Sequence, residues 1–336
     1  MNAPAPTRLS VVIVTYNSRA AVTAALPALV AQLGDDDELV VVDNASTDGT
    51  LAAIGELAPG AVVVRNDGNA GFAAGANAGA RAASGDLLVF LNPDATPARG
   101  FVDAIRTPRE PWSAWQGLVT ADGGGAVNTS GGVVHFTGIA WAGQAAPAGP
   151  RDVAFLSGAC LAIPRAHWER IGGFGEAFFM YHEDVDLSLR LRLAGDRLGV
   201  EPAAVVDHDY EFAKGPAKWR RLEANRWATI VRCYPGSLLL LLAPALAATE
   251  AALLVVAAAG GWLPQKLLAT YDTLRALPRL LRERRAVQAT RTIPAAAFAR
   301  WLTPELDSPF LGRAGRLAPL RWALRAYWRV VTAVLR

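Results

Sequence analysis

The sequence predicts an α/β domain on a parallel sheet, followed by a basic, apolar helical extension. Two observations point there. From Leu9 to Leu91, short apolar runs alternate with small-residue helical stretches, the rhythm of βαβ units whose sheet is covered on both faces. The charge also divides: residues 1–212 carry 13 basic and 24 acidic side chains, while residues 213–336 carry 20 and 6. A formal net of +3 therefore conceals a half at −11 and a half at +14, which must face different surroundings. With 336 residues, 52% of them hydrophobic, the chain can bury a full α/β domain at 7–212 and keep 213–336 for the extension.

Strands are expected at 9–15, 38–43, 61–65 and 86–91. Helices fill the gaps at 19–33, 47–57 and 71–83, each followed by a break rich in Gly, Pro or Asp. The Gly- and Ala-rich stretch 121–149 reads as loops or short edge strands lining a cleft. A second α/β portion follows, with a strand near 153–163, a helix over 183–193 and a strand at 203–206 leading to His208.

In the extension, residues 238–259 form a 22-residue run whose only ionisable group is Glu250. A span needs about 20 apolar residues, so the length suffices. Basic clusters flank both sides, however, against the bias for a single crossing. With Pro244 near its start and Glu250 in its middle, in-plane or re-entrant helices are expected. Residues 265–336 read as amphipathic helices, with Trp262, Trp301, Trp322, Tyr327 and Trp328 as interfacial anchors. Arg interleaved with Leu, Ala and Val suits anionic lipid better than nucleic acid, so the expected partner is a membrane surface. Residues 1–10 lack a secretory apolar segment, which places the first half on the cytoplasmic face. Cys160 and Cys233 are too few and too isolated for a disulfide framework or a zinc site, and read as buried small residues.

Ligands of α/β sheets bind at the carboxyl ends of the strands, so the residues there carry the chemistry. The first strand ends in Thr15-Tyr16-Asn17 and the second in Asp43-Asn44-Ala45-Ser46. An Asp leaving a strand can accept the imide N–H of uracil or thymine; alternatively Asp43 caps the next helix, a role open to Ser46 and Asp48 as well. Gly71, Gly75 and Gly79 recur every fourth residue, giving a smooth helical face for a backbone or a flat nucleoside. Helix–sheet packing accounts best for Gly75 and Gly79, whereas Asn69 and Gly71, at the turn, are candidates for base or ribose contact.

Asn92-Pro93-Asp94 ends the fourth strand where a hard cation can bridge two phosphates, a solvated turn Asp being the alternative. Glu183, Asp184 and Asp186 follow the aromatic stretch 178–182. First-turn acids suit the helix dipole, and Asp186 can pair with Arg190. A general base in a partly apolar cleft explains in addition why Phe and Tyr lead into the acids. His208 sits between two Asp residues at a strand end, in company that fits a metal or phosphate role.

Taken in order, VVIVTYN, VVDNASTDGT, NAGFAAGAN, LNPD, SGA at 157–159, GGF at 172–174 and FFMYHEDVDLSLR resemble the family 2 glycosyltransferases, in particular their bacterial rhamnosyltransferase-like branch, over residues 9–208. The resemblance implies the GT-A fold, a nucleotide-diphosphate sugar donor and inversion by direct displacement. Carried over by position, it implies that Thr15, Asn17 and Asp43 hold the nucleoside with Asn69 and Gly71 near it. It further implies that Asp94 ligates Mg²⁺ or Mn²⁺, that His208 completes the metal or diphosphate site, and that Asp184 is the general base. Many relatives carry Asp-x-Asp where this chain has Asn92-Pro93-Asp94, which implies weaker metal binding or a ribose contact for Asn92. Ser157, Gly158, Tyr181, Glu183 and Trp141 are expected around the acceptor, with Phe179, Tyr181 and Trp141 as stacking faces for sugar and core packing as an equal account of Phe179.

The branch implies dTDP-rhamnose as donor, with UDP-hexoses or a UDP-furanose as alternatives, and a polyprenyl-linked or cell-envelope glycan as acceptor. A nucleotidyltransferase would need a Gly-rich basic phosphate loop after the first strand, which Thr15-Tyr16-Asn17-Ser18 is not. An inactive lipid-glycan-binding scaffold would not need Asp43, Asp94, Asp184 and His208 together, since binding alone requires no base.

Overall fold

A computed structural model of the chain describes residues 8–208, 215, 217–307 and 317–336. In chain order the elements are β1 (Leu9–Thr15), α1 (Arg19–Val30), β2 (Glu38–Asp43), α2 (Thr50–Leu57), β3 (Val62–Arg65), α3 (Gly71–Ala82), β4 (Leu87–Leu91), β5 (Thr96–Pro97), α4 (Phe101–Arg106), β6 (Ala114–Ala121), β7 (Ala126–Thr129), β8 (Gly132–His135) and β9 (Ala140–Ala142). There follow β10 (Arg151–Asp152), β11 (Cys160–Pro164), α5 (Arg165–Ile171), α6 (Glu183–Leu193), β12 (Leu198–Asp207), α7 (Ala217–Cys233), α8 (Gly236–Ala259), α9 (Leu263–Ala289), α10 (Ala295–Ala299), β13 (Leu302–Thr303) and α11 (Ala318–Val334).

A ten-stranded sheet runs β10-β12-β6-β11-β4-β1-β2-β3, with β5 on β12 and β7 on β6. Strands β1, β2, β3 and β4 are parallel; β11 is antiparallel to both β4 and β6, and β12 is parallel to β6. Two reversals restore the direction, so the carboxyl ends of β1, β2, β4, β6 and β12 share one edge with the start of β11. That edge carries Thr15, Asp43, the 92–94 turn and His208.

The central strands β1 and β4 are buried along their whole length, which is why they read as unbroken apolar runs. One face is covered by Val22, Leu26 and Leu29 of α1 and Ile54 of α2. On the other face lies α3, where an added Cβ would come within 2.7 Å of Val14 at Gly75 and 2.3 Å of Val12 at Gly79. Helix–sheet packing thus explains both glycines. β6 has no counterpart among the expected elements, because Gln116, Gly117 and Thr120 interrupt its apolar pattern although all three are buried.

The chain divides into two compact units, Met1–Gly131 with Ala142–Leu187 and Asp196–Glu211, and Gly132–Trp141 with Ser188–Gly195 and Phe212–Arg336. The division expected at 212/213 lies outside the described residues. Two inner segments depart from it by belonging to the second unit, where β13 pairs with β8 and the Thr292 N–H donates to the Leu193 carbonyl.

In that unit α8 is one continuous 24-residue helix that runs through Pro244, not the two halves of a re-entrant pair. It is long and apolar enough to cross a membrane by length and composition. Glu250 in its middle is engaged by Arg226 of α7 and by Lys266 of α9 at 2.6 Å, and both cations also meet Glu223. These cations are nearly fully buried, so the carboxylates that neutralise them fix α8 against α7 and α9.

Most of the expected aromatic anchors are spent on packing. Trp328 stacks on Phe136 and Trp262 on Trp219, each at 5.1 Å between centroids. The Arg192 guanidinium lies 3.2 Å above the Trp301 ring, and the Tyr327 hydroxyl donates to the Leu241 carbonyl. Trp322 keeps an open ring, 73% exposed.

Candidate active site

At the ends of β1 and β2 the polar side chains first satisfy one another. Thr15 Oγ1 donates to Asp43 Oδ1 at 2.9 Å, and the Ser46 N–H donates to Asp43 Oδ2 at 2.9 Å. Asn17, at φ 49°, donates its N–H to Ser46 Oγ at 2.8 Å and accepts the Thr47 N–H at 2.9 Å. The two turns are thereby locked together. Asp43 is only 1% exposed, so it organises the turns, and the open groups there are Tyr16, Asn17 and Asn69. Capping of α2 falls to neither Asp43 nor Ser46: Asp48 accepts the Arg19 and Thr50 N–H groups.

Behind these turns lies a network that sequence reasoning passed over. Asn66 Nδ2 donates to Asn44 Oδ1 at 2.7 Å, Asn44 Nδ2 donates to the Gly71 carbonyl at 3.2 Å, and the Gly71 N–H donates to Asn69 Oδ1 at 3.0 Å. Asn repeated at successive strand ends was the available signal. Tyr16, an aromatic exposed at the tip of β1, was also passed over.

Gly71 itself has φ 82°, and a Cβ there would lie 2.5 Å from the Phe179 carbonyl oxygen. Its lack of a side chain therefore makes room for Phe179. Phe179 packs its ring edge against Gly71 and its carbonyl accepts the Ala73 N–H at 3.1 Å, while the residue stays partly exposed. Trp141 is buried on β9 in the second unit, so its ring is not an open face.

The 92–94 turn meets the end of β12. Asp94 Oδ1 lies 3.0 Å from His208 Nε2, and Asn92 Nδ2 lies 3.3 Å from the same nitrogen. His208 is buried while the Asp94 carboxylate is half open to solvent. This carboxylate and imidazole are oxygen and nitrogen donors of the kind that would hold a divalent cation. A cation held by so few protein ligands takes the rest from phosphate and water.

Asp184 stands at the start of α6. Its Oδ2 accepts the Gly158 N–H at 3.1 Å and its Oδ1 the Val185 N–H at 2.8 Å. Burial pushes its pKa above the usual carboxylate value, opposed by these two N–H groups. Glu183, 7% exposed, is pushed well above its ordinary value by burial and then by the Asp184 charge, and its Oε2 has no hydrogen-bond partner among the described residues. Just before these acids Phe179, Tyr181 and His182 all adopt positive φ, 63°, 71° and 65°. Such backbone is costly for bulky residues and gathers where side chains are aimed for function.

The loop 157–159 joins the two halves. Gly158 holds Asp184, and the next carbonyl, that of Ala159, accepts the Asn92 N–H at 3.1 Å. A Cβ at Gly158 would lie 3.2 Å from the Phe72 ring. Ser157 is partly exposed and is fixed through its N–H to the buried Gln116 Oε1 at 2.8 Å.

The family model described as Glycosyl transferase family 2 matches residues 10–105. An N-acetylglucosaminyl-diphospho-decaprenol L-rhamnosyltransferase of Mycobacterium tuberculosis is 28% identical over 259 residues, covering 66% of this chain and 83% of that protein. The rhamnosyltransferase WbbL of Escherichia coli is 43% identical over 56 residues, 17% of this chain and 21% of that one. The chain is a glycosyltransferase, and its residues 10–105 match the family 2 domain.

Among solved structures, GalNAc-T7 with UDP, GalNAc and Mn²⁺ superposes with a TM-score of 0.57 at 16% identity, over 70% of this glycosyltransferase and about half, 49%, of that chain. S. aureus TarS gives a TM-score of 0.50 at 16% identity, over 97% of this chain and 55% of that one. Both show the GT-A-like mixed α/β fold. For a transferase on that fold, the shared sheet edge offers a carboxylate aimed by two N–H groups and, beside it, a carboxylate–imidazole pair.

Proposed function

We propose that this glycosyltransferase moves rhamnose from dTDP-rhamnose to a hydroxyl of a lipid-linked or cell-envelope glycan, with inversion, at the cytoplasmic face of the membrane. One observation carries the mechanism: Asp184 is held by Gly158, next to Ala159, whose carbonyl binds the 92–94 turn that meets His208. Base and cation ligands thus flank one site.

Asp184 takes the proton of the acceptor hydroxyl as that oxygen attacks the anomeric carbon, and its raised pKa strengthens it for this. Its paired N–H bonds aim one carboxylate and cost no reorganisation at the moment of transfer. Asp94 and His208 would hold Mg²⁺ or Mn²⁺, which would supply positive charge for the leaving diphosphate. Asn92, beside His208, reaches toward the ribose. The nucleoside lies on Tyr16, Asn17 and Asn69, on turns shaped by Thr15, Asp43 and Gly71; the Tyr16 ring offers the base a face. Ser157, Tyr181 and Glu183 border the acceptor. No enzyme nucleophile takes part, as inversion needs a single displacement.

The rhamnose and the lipid-linked acceptor rest on the mycobacterial relative, the dTDP carrier on the resemblance to the rhamnosyltransferase-like branch, and the membrane on that relative's diphospho-decaprenol together with the basic, apolar second unit. Thermal shift with a panel of nucleotide sugars and Mn²⁺ tests the donor. dTDP-rhamnose is expected to raise the melting temperature most. A larger rise with a UDP-hexose would reassign it.

A further inference from the structure

The second unit contains an open pocket of about 460 Å³ lined by Gly236, Leu281, Arg284, Arg285, Gln288 and Arg291. Its floor is the turn from α7 into α8, tied down from α9. Arg284 Nη1 donates to the carbonyls of Val231 at 2.6 Å and Tyr234 at 2.7 Å, and Gln288 Nε2 to those of Arg232 at 3.0 Å and Cys233 at 3.1 Å. These bonds satisfy carbonyls at the end of α7 that have no partner within their helix. They also fix two of the pocket's side chains in place.

Arg284 Nη2 remains, 3.8 Å from where a Cβ on Gly236 would stand. Gly236 opens the 24-residue α8, whose N-cap Pro235 gives no side-chain cap. The N–H groups of the first turn have no acceptor within the helix, and its dipole adds partial positive charge at this end. Among the described residues Arg284, Arg285 and Arg291 form no ion pair; Glu283, on the same helix, is taken by Arg232 and Arg279. Burial, with the charge of Arg291, pulls the Arg284 guanidinium below its usual pKa. Three guanidiniums and a helix amino end thus surround one open volume without a counter-ion. Beside it are apolar side chains in water: Leu281 in the wall, 46% exposed, and Leu240 one turn along α8, 77% exposed.

We propose that this pocket binds the phosphate or diphosphate of a lipid headgroup. Arg285 and Arg291 close on the anion, Arg284 and the amino end of α8 form its seat, and Leu240 and Leu281 meet the hydrocarbon. Guanidinium forks match phosphate oxygens in pairs, so several arginines outdo a single ammonium group at such a seat. The assignment deepens the proposed lipid-linked acceptor and rests on that reading for its lipid; a free diphosphate shares the headgroup chemistry.

The test titrates the full chain with phosphatidylcholine vesicles carrying a polyprenyl diphosphate, and with vesicles carrying phosphatidylglycerol of equal charge. Arg285→Ala/Arg291→Ala is compared with the charge-matched Arg329→Ala/Arg336→Ala. Losing a hydrogen bond to a charged group costs roughly ten-fold, so the pocket variant is expected to lose roughly a hundred-fold in affinity for the polyprenyl diphosphate vesicles and much less for the phosphatidylglycerol ones. The control is expected to lose far less, and sodium diphosphate to compete in wild type. Equal losses in both variants, or none in the pocket variant, would overturn the assignment. So would binding of sodium diphosphate as tight as that of its polyprenyl form, which would assign the pocket to a soluble anion. Nucleotide-sugar binding by thermal shift is read on the same samples. If no nucleotide sugar binds while the vesicle result holds, the transfer reading fails and the headgroup site stands.

Discussion

The Gly158 N–H donates to Asp184 Oδ2 at 3.1 Å, joining the loop before β11 to the first turn of α6. A Cβ at 158 would press on the Phe72 ring at 3.2 Å, while the direction of the N–H sets the aim of the carboxylate.

Asp184→Asn is expected to lower transfer by roughly 10²–10⁴-fold and leave donor affinity nearly intact, because the amide keeps the shape but takes up no proton. Steady-state kinetics beside donor thermal shift reads both quantities. Near-normal turnover would move the base to Glu183 or Asp186.

Chelation with EDTA is expected to stop the reaction, and Asp94→Ala to weaken donor binding, since the pair at 3.0 Å loses its charged member. Re-addition of Mn²⁺ should restore wild type and leave the variant impaired. Full activity in EDTA would sink the metal assignment.

Glu183 makes stability depend on pH in a definite sense. Its folded pKa lies well above the ordinary 4.5, so the native state binds its proton more tightly than the unfolded chain does. Stability from this group is full below the unfolded value and is lost as pH rises through the folded one. The ligand-free melting temperature is expected to fall from mildly acidic toward neutral pH, and Glu183→Gln to flatten that slope. An unchanged slope in the variant would assign it elsewhere.

Glu250→Ala leaves Arg226 and Lys266 buried with Glu223 as their remaining carboxylate partner. Breaking a buried pair costs about 3–5 kcal/mol, because a desolvated charge is left uncompensated. Denaturant unfolding is expected to show a loss of that size, partly recovered in Glu250→Ala/Lys266→Met. Additive losses in the double variant would mean the two side chains are not coupled.

The second unit is expected to stay with membranes at 1 M salt and to need detergent, because screening to about 3 Å removes electrostatic adhesion but not apolar insertion. Release by salt alone would refute insertion. Arg336→Cys, with Cys160 and Cys233 buried and unreactive, reports topology: a thiol reagent outside intact cells is expected not to reach position 336. Labelling there would mean that α8 crosses the bilayer.

The βαβ units and the bounds of α6 were legible because strands buried on both faces are unbroken apolar runs, and α3 must be smooth where Gly75 and Gly79 meet β1. The strand-end motifs placed Asp94 and His208 on the same sheet edge for the same reason: parallel strands share a direction. What the sequence could not show is which polar groups answer one another over long separations. Gln116 hides β6 in the pattern yet is satisfied by the Ser157 N–H; Gly71 leaves room for Phe179; and Asp43 accepts from Thr15 and Ser46. Glu250 reads as a flaw in an apolar helix until Arg226 and Lys266 close around it. Local sequence encodes periodicity and the side to be buried, whereas the partner of a buried polar group is decided by tertiary contacts, and only that partner determines whether the group is stabilising, structural or free to meet a ligand.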